Sequence, residues 1–219
     1  LEPLGLSPDR PYSALVEAIE IDRQLLSGRE SGAASIAWTP GAVPLAIAGR
    51  GPRVQRLAAE KADWVIFSAK PVAHLRTEAT RVRAAGTARI AWSAYIAWSD
   101  VERARVLRHF SYMAVDAPPD IRAAAGLDDE RVNLVRTAML AGRMDEAARH
   151  LPPALVDQYA VAGAPDECAA AIAAQSGNFD LFMLPMNDEP TCEQHIDSSA
   201  DIIQRAQQLV AAQLSGMAE

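Results

Sequence analysis

The sequence has few cysteines, no excess of positive charge and no long apolar run. Its two cysteines, Cys168 and Cys192, exclude a disulfide framework and a cysteine-based zinc site. The net charge of −7 argues against nucleic acid as a partner, because no basic patch is present to neutralise phosphates. No apolar run approaches the roughly 18 residues of a membrane-spanning helix, and the first residues do not resemble a signal peptide. We therefore expect a cytoplasmic protein.

What the sequence does have is the composition of a globular α/β protein. Half of its 219 residues are apolar, which is enough to form a core in a single domain. Short apolar runs alternate with amphipathic stretches, and this alternation is typical of a parallel sheet covered by helices. The pattern predicts four parallel strands, adjacent in chain order, near 43–48, 64–68, 89–97 and 180–185.

Helical periodicity fills most of the remaining sequence. Between about 120 and 150 the pattern predicts two or three short helices instead of the single covering helix of a regular β/α unit. We interpret 100–150 as a helical insertion at the carboxyl ends of the strands. The other predicted helices cover 11–27 (with Asp9 as a candidate N-cap), 54–62, 71–85, 101–115 (capped by Ser99-Asp100), 166–175 and 200–214.

The most informative stretch is Val43–Ser68, which reads as strand, glycine turn, helix and strand. The turn is Gly49-Arg50-Gly51, whose glycines permit positive φ and a close approach of backbone to a ligand. Pro52 suits the first position of the following helix. A helix that begins directly after a strand presents free N–H groups and the positive end of its dipole to an anion, so the turn favours phosphate binding.

A tight connection without any ligand explains the same turn, and that alternative stays open on the turn alone. The Rossmann fingerprint is not satisfied, because its third glycine is replaced by Val54. A P-loop is excluded as well, since no Lys-Ser/Thr pair follows the glycines.

The remaining chemical side chains give weaker indications. We expect the histidines to be surface or helix-end groups and the strand aromatics to be core residues, although an aromatic ring on a strand can also stack on a ligand. The polar loop after the last strand, with Asp188 and Glu189, either lies near substrate or is an ordinary surface loop. We expect no metal, because Cys192, Glu193 and His195 have no further ligands nearby in sequence. The histidines are His74, His109, His150 and His195, and the aromatics are Trp92, Tyr95 and Trp98.

Several stretches together resemble the luciferase-like monooxygenase family, in particular its deazaflavin branch, the relatives of methylenetetrahydromethanopterin reductase that use coenzyme F-420. The resemblance rests on their order and spacing over almost the whole chain. The stretches are RPYSALVEAIEIDRQLLSG (10–28), VPLAIAGRGPRVQRLAAEKADWVIFS (43–68), RIAWSAYIAWSD (89–100), VDQYAVAGAPDECAAAIAAQ (156–175) and FDLFMLP (179–185).

The resemblance implies a TIM (β/α)8 barrel with a helical insertion after the seventh strand. Residues 1–219 then correspond to the C-terminal part of a single barrel domain, with about strands five to eight and with the N-terminal strands absent from this sequence. Four parallel strands leave two open edges, whereas a barrel needs eight strands to close. The alternative is a half-barrel that completes itself by dimerising.

The resemblance also implies a cofactor site. By position, the phosphate of a flavin or deazaflavin binds at the turn Gly49-Arg50-Gly51, where it meets the N–H groups of Arg50 and Gly51. Ser68 assists with its hydroxyl, and Ala48 lies beneath the ring or its ribityl chain. We expect coenzyme F-420, with FMN as the alternative, and a small organic substrate. The expected activity is that of an oxidoreductase, either a hydride-transferring enzyme or an FMN-dependent monooxygenase, in a homodimer. A non-catalytic relative is the alternative of another class. The sequence identifies no catalytic residue.

Overall fold

The computed structural model describes residues 9–38, 43–117, 119–186 and 192–216. The chain divides into two compact units, Leu1–Ile66 with Thr80–Ile90, and Phe67–Ala79 with Ala91–Glu219. Among the described residues, no helix combines the length and the apolar character needed to cross a membrane.

Helices and strands alternate along the first part of the chain and helices dominate its middle. In the first half they are α1 (Pro11–Leu26), β1 (Ala46–Ala48), α2 (Pro52–Lys61), β2 (Trp64–Ser68), a 3-10 turn (Val72–His74), α3 (Leu75–Ala85), β3 (Arg89–Ser93), β4 (Ile96–Ala97) and α4 (Asp100–Asp116). In the second half they are α5 (Pro119–Ala124), α6 (Asp129–Leu140), α7 (Met144–Arg149), α8 (Ala154–Tyr159), β5 (Val161–Ala162), α9 (Pro165–Ala174), a 3-10 turn (Ser176–Asn178), β6 (Leu181–Met183) and α10 (Cys192–Gly216).

The first unit is built on a parallel pair of strands. β1 pairs with β2 so that Ala48 lies opposite Ile66. The start of β3 lies beside β2, where the N–H of Arg89 donates to the carbonyl of Asp63 at 2.9 Å. Apolar side chains between these strands and the helices form the core of the unit. They include Ile47, Leu57, Ala58, Val65 and Ile90.

The second unit contains two parallel strand pairs. β3 pairs in parallel with β6, which places Ala91 opposite Leu181. β4 pairs in parallel with β5. The strand order β1-β2-β3-β6 and the parallel directions confirm the predicted arrangement of the four strands.

The predicted strand 89–97 is wrong in one respect, because the chain changes partner within it. The N–H of Ala94 still donates to the carbonyl of Met183 in β6, at 3.2 Å. One residue later, the carbonyl of Tyr95 accepts the N–H of Val161, at 2.9 Å, and β4 begins. The strand therefore ends at Ser93 and a new one pairs with β5. The prediction missed β5 because the strand has only two residues, Val161 and Ala162, between the end of α8 and Gly163.

The described residues between 100 and 150 are mostly helical, as predicted, and their place as an insertion at the carboxyl ends of the strands stays a prediction. Ser99 caps α4 as predicted, since its hydroxyl accepts the N–H of Glu102 at 3.3 Å. Phe110 of α4 meets Tyr159 of α8 edge to face, with ring centroids 6.2 Å apart. The insertion therefore packs its own core against β4 and α8. That core includes Ala97, Val106, Phe110, Val132, Val135, Ala147, Leu155 and Tyr159.

Two helix starts differ from the predictions. Asp9 is not the N-cap of α1, because Arg10 takes that position without a side-chain hydrogen bond. α10 begins at Cys192 and not at Ala200. Its buried stripe begins with two polar residues, which hid the amphipathic pattern from a search for apolar periodicity. The stripe is His195, Ser199, Ile202 and Ala206.

The outer strands of the four-stranded sheet leave side chains uncovered. Ala46 and Ala48 of β1 are exposed, and Leu181 and Met183 of β6 are 45% and 37% exposed. In a closed barrel the inward side chains of every strand are packed in layers. The four-stranded sheet is therefore open at its two outer strands.

Candidate functional site

The β1–α2 turn lies at the carboxyl end of the sheet in the first unit. β1 ends at Ala48, and the parallel register places Ile66 of β2 beside it. Gly49, Arg50 and Gly51 form the turn, and α2 begins at Pro52 as predicted. Ligands of parallel α/β proteins bind at this end of the strands.

Gly49 is a glycine for a packing reason. A Cβ at this position would lie 2.5 Å from Cγ1 and 2.9 Å from Cβ of Val54, in the first turn of α2. Val54 is the residue that replaces the third glycine of the Rossmann fingerprint. The packing of Val54 therefore explains Gly49 whether or not a ligand binds. This residue agrees with the alternative in which the turn only connects β1 to α2.

Gly51 has no such packing reason. Its φ of −89° and ψ of 150° are accessible to any residue, and a Cβ built there meets no atom within 4 Å. Positive φ is found at neither Gly49 nor Gly51, so the expectation that the glycines serve the turn by positive φ is wrong. Because Gly51 has no side chain, the space directly in front of α2 is open.

The start of α2 has the electrostatics of an anion site. No side chain caps the helix within the part of the chain that the structure describes, and its first turn contains no acidic residue. The N–H groups of Arg53 and Val54 therefore point towards the turn at the positive end of the helix dipole. The guanidinium of Arg53 lies 3.7 Å above the ring of Tyr12. These residues fit a phosphate group.

The contact between Gly49 and Val54 gives a testable stability effect. Gly49→Ala is expected to lower the free energy of unfolding by about 1–3 kcal/mol, because the new methyl overlaps Val54. Val54→Ala in the same chain removes the nearer overlapping atom, Cγ1, and keeps Cβ, so the double variant is expected to regain part of that loss. Urea denaturation of the single and double variants measures this coupling. Additive losses would contradict a direct contact.

Ser68 lies where the sequence predicts it, as the last residue of β2, and it is half-buried. Ala69, which follows it, has a φ of 49°, a region that L-residues rarely adopt. Lys70 and Glu78 form an ion pair of 3.2 Å whose side chains are 10% and 13% exposed. The chain thus makes a sharp, anchored turn immediately after Ser68, in the second unit.

The strand aromatics are mainly packing residues, as expected. Trp92 is 1% exposed and contacts Phe182 edge to face, with centroids 5.2 Å apart. Tyr95 is half-buried and stacks on His109 at 5.2 Å. Trp98 is half-buried and stacks on His195 at 4.9 Å.

The histidine predictions are correct for His74, which is exposed, and for His150, which is the C-cap of α7. The prediction for His195 is wrong, because its ring is 2% exposed and contacts Glu102 and Arg105. Sequence reasoning missed it because α10 was expected to begin at Ala200. The helical spacing of His195, Ser199 and Ile202 is the signal that reveals it.

A cavity of about 610 Å³ lies at the opposite, amino-terminal end of β1 and β2. Leu45 and Asp63, which line it, precede the two strands, and the Asp63 carboxylate accepts the N–H of Leu45 at 2.8 Å. This end of a parallel sheet contributes to stability and not to catalysis in barrel enzymes. We therefore place the candidate site at the turn and not in this cavity.

Two further expectations concern acidic groups and metals. Asp188 and Glu189 lie outside the described residues. Within the described ranges there is no group of three or more His, Cys, Asp or Glu side chains that could hold a metal ion.

Comparison with known proteins finds relatives by sequence and by structure. A 5,10-methylenetetrahydromethanopterin reductase from Archaeoglobus fulgidus is 27% identical over 190 residues, which are 76% of this chain and 57% of that protein. The structure of a coenzyme F-420-dependent tetrahydromethanopterin reductase from Methanopyrus kandleri superposes with a TM-score of 0.64 at 17% identity, over 86% of this chain and 61% of that one. An F-420-dependent secondary alcohol dehydrogenase, solved with an F-420–acetone adduct, gives 0.60 at 18% identity, over 92% and 64%.

The chain spans about three fifths of the length of these relatives. The structural likeness confirms the predicted fold class, a part of a luciferase-like TIM barrel. A family model described as luciferase-like monooxygenase matches residues 1–178, well over half of the chain. The chain therefore belongs to the luciferase-like monooxygenase family.

Proposed function

We propose that the protein is an oxidoreductase that transfers a hydride between coenzyme F-420 and a small organic substrate, and that the β1–α2 turn binds the phosphate of the cofactor. The observation that carries the proposal is Gly51. The fold does not need a glycine there, yet the missing side chain leaves open space in front of an uncapped helix start. The relatives named above, two of which carry F-420 in their names, support this choice of cofactor.

The chain's own part in binding follows from the turn. The N–H groups of Gly51, Arg53 and Val54 are the donors that a phosphate meets at the start of α2. Arg50 is exposed at the same turn, where its guanidinium adds positive charge. Ala48 ends β1 with an exposed small side chain, which leaves room beside the strand.

The redox chemistry is supplied by the bound deazaflavin, and the protein positions it and excludes water. The homodimer remains a prediction. It is supported by α1, in which Ile19 is the buried residue while the rest of a largely apolar helix stays accessible.

Fluorescence titration of the chain with F-420 and with FMN tests the cofactor, and Ser68→Ala tests the assisting hydroxyl. We expect tighter binding of F-420 than of FMN in the wild-type chain. Ser68→Ala is expected to weaken F-420 binding by about twofold to twelvefold, the equivalent of one neutral hydrogen bond of about 0.5–1.5 kcal/mol. Thr77→Ala, an exposed change on α3, is the matched control and is expected to bind normally.

Three outcomes would speak against parts of the proposal. Tighter binding of FMN, with oxygen-dependent turnover, would indicate a monooxygenase. Binding of F-420 without its reduction by any alcohol or reduced pterin would indicate a non-catalytic relative. Unchanged F-420 affinity in Ser68→Ala would mean that the hydroxyl of Ser68 does not contribute to binding. The turn itself is tested by Gly51→Asp.

A further inference from the structure

One polar side chain of α2 is buried without a hydrogen-bond partner. Gln55 is 1% exposed, and within the part of the chain that the structure describes neither its amide nitrogen nor its amide oxygen meets a partner. The other buried residues of the helix are apolar, namely Leu57, Ala58 and Ala59. An unpaired polar group in a protein interior is unfavourable, so a glutamine at this position needs an explanation.

Gln55 stands one helical turn after the glycine turn. Its backbone N–H donates to the carbonyl of Gly51 at 3.1 Å, in the first turn of α2. A helical side chain extends back over the turn that precedes it, so the side chain of Gln55 runs towards the start of the helix. A Cβ on Gly51 would meet no atom within 4 Å, so Gln55 leaves the space in front of the helix open. Rotation of its own side chain brings the amide to that space.

Local folding does not account for a glutamine here. In a hydrophobic staple, the residue before the N-cap packs against the fourth residue of the helix, and both residues are apolar. In α2 these two positions are occupied by Arg50, which is exposed, and Gln55. An apolar side chain at position 55 would fill the same interior space without unpaired polar atoms.

The chemistry of the amide indicates which ligand group it suits. A side-chain amide both donates and accepts hydrogen bonds, and in Gln55 both functions are unused. An ionised phosphate oxygen only accepts, so it would leave the amide oxygen of Gln55 unpaired. A hydroxyl group donates as well as accepts and can pair with either atom. Hydroxyl groups of this kind are present in the ribityl chain that carries the phosphate of flavins and deazaflavins.

We propose that the amide of Gln55 binds a hydroxyl group of the ligand's polyol chain, next to the phosphate at the β1–α2 turn. The inference rests on the proposed phosphate site and adds to it the recognition of the polyol. The amide has no hydrogen bond to lose within the described structure, so its rotation towards the ligand breaks none. The backbone of α2 does not need to move.

Calorimetric titration with inorganic phosphate and with ribitol 5-phosphate separates the two parts of the site. Gln55→Met is expected to weaken the binding of ribitol 5-phosphate by about fivefold to 150-fold, the equivalent of two neutral hydrogen bonds. It is expected to leave the binding of inorganic phosphate unchanged. Leu57→Met places the same side chain at another buried position of α2, and this matched control is expected to bind both compounds normally.

The same substitution is expected to stabilise the chain without ligand. Methionine fills the space of glutamine and has no unpaired amide, so the urea midpoint of Gln55→Met is expected to rise by about 0.5–1.5 M. A gain in stability together with a loss of polyol binding is the combination that a ligand-binding group predicts. A lower midpoint would mean that Gln55 has a structural partner, and it would overturn the proposal.

The titrations distinguish failure of the inference from failure of the phosphate site. Unchanged binding of ribitol 5-phosphate in Gln55→Met, beside weakened binding of both compounds in Gly51→Asp, overturns the role of Gln55 and leaves the phosphate site in place. A trapped water then pairs with the amide. Binding of neither compound to the wild-type chain, or unchanged binding in Gly51→Asp, overturns the phosphate site and the inference with it.

Discussion

Gly51→Asp is expected to abolish F-420 binding while the fold survives. The new carboxylate would stand at the start of α2, where it competes with phosphate for the N–H groups of Arg53 and Val54 and repels the ligand. Loss of one such charge-assisted bond, about 1.5–3 kcal/mol, weakens binding about tenfold to about 150-fold before repulsion is counted.

The same substitution is expected to leave stability unchanged or slightly higher. Gly51 has extended dihedral angles and open space at its Cβ, so Asp fits without strain. Asp is a favourable N-cap and interacts well with the helix dipole, a gain of about 0.3–1 kcal/mol. Urea denaturation of the variant checks this, and marked destabilisation would mean that the local geometry is misread.

Gly51→Asn is the matched control for charge. Asparagine caps the same N–H groups without a negative charge, so it is expected to bind F-420 more weakly than wild type but better than Gly51→Asp. Fluorescence titration of F-420 into the three proteins gives this order. Equal affinity in all three would mean that the turn only connects β1 to α2.

Gly86→Ala is expected to give the largest loss of stability. A Cβ at Gly86 would lie 2.0 Å from the carbonyl oxygen and 2.4 Å from the carbonyl carbon of Ala59, and 3.0 Å from the nitrogen of Glu60. These are backbone atoms of α2, which cannot rotate away as a side chain can. The end of α3 must therefore move off α2, at a cost of about 3 kcal/mol or more.

Gly177→Ala is the control for this effect, because a Cβ at Gly177 meets no atom within 4 Å and its φ is not positive. Chemical denaturation followed by circular dichroism is expected to show little change for Gly177→Ala. It is expected to show a large loss of stability, or no folded state, for Gly86→Ala. Equal stability of the two variants would contradict the close packing of α3 on α2.

Local patterns predicted the elements that carry strong signals of their own. The apolar runs at 43–48 and 64–68 and the proline after the turn located β1, α2 and β2, because strand and helix signals there agree. The serine at position 99 likewise marked the start of α4. The order of the parallel strands followed from alternation with covering helices.

Features that depend on distant partners were not predictable in this way. The run from Arg89 to Ala97 is continuous in composition, and only the positions of β6 and β5 divide it. α10 was predicted too short because His195 and Ser199 are polar, and their burial depends on Glu102 and Arg105, about 90 residues away in sequence. The reason for Gly49 is likewise a contact, with Val54, and not a property of the turn alone.

The sequence predicted where in the chain the candidate site lies, but it did not predict the geometry of the site. The glycine turn identified Gly49–Gly51, whereas the distinction between a packing glycine and a glycine with open space required coordinates. For Ser68, the sequence predicts the end of a strand, and its part in binding stays a prediction.

Backbone amide shifts during an F-420 titration test the central claim most directly. Glycine amides resonate apart from most others in a ¹H–¹⁵N spectrum, so Gly49 and Gly51 are readily followed. If the β1–α2 turn binds the phosphate, the amides of Gly51, Arg53 and Val54 shift together and saturate with the affinity found by fluorescence. Saturable binding that shifts amides elsewhere and leaves these three unchanged would contradict the claim.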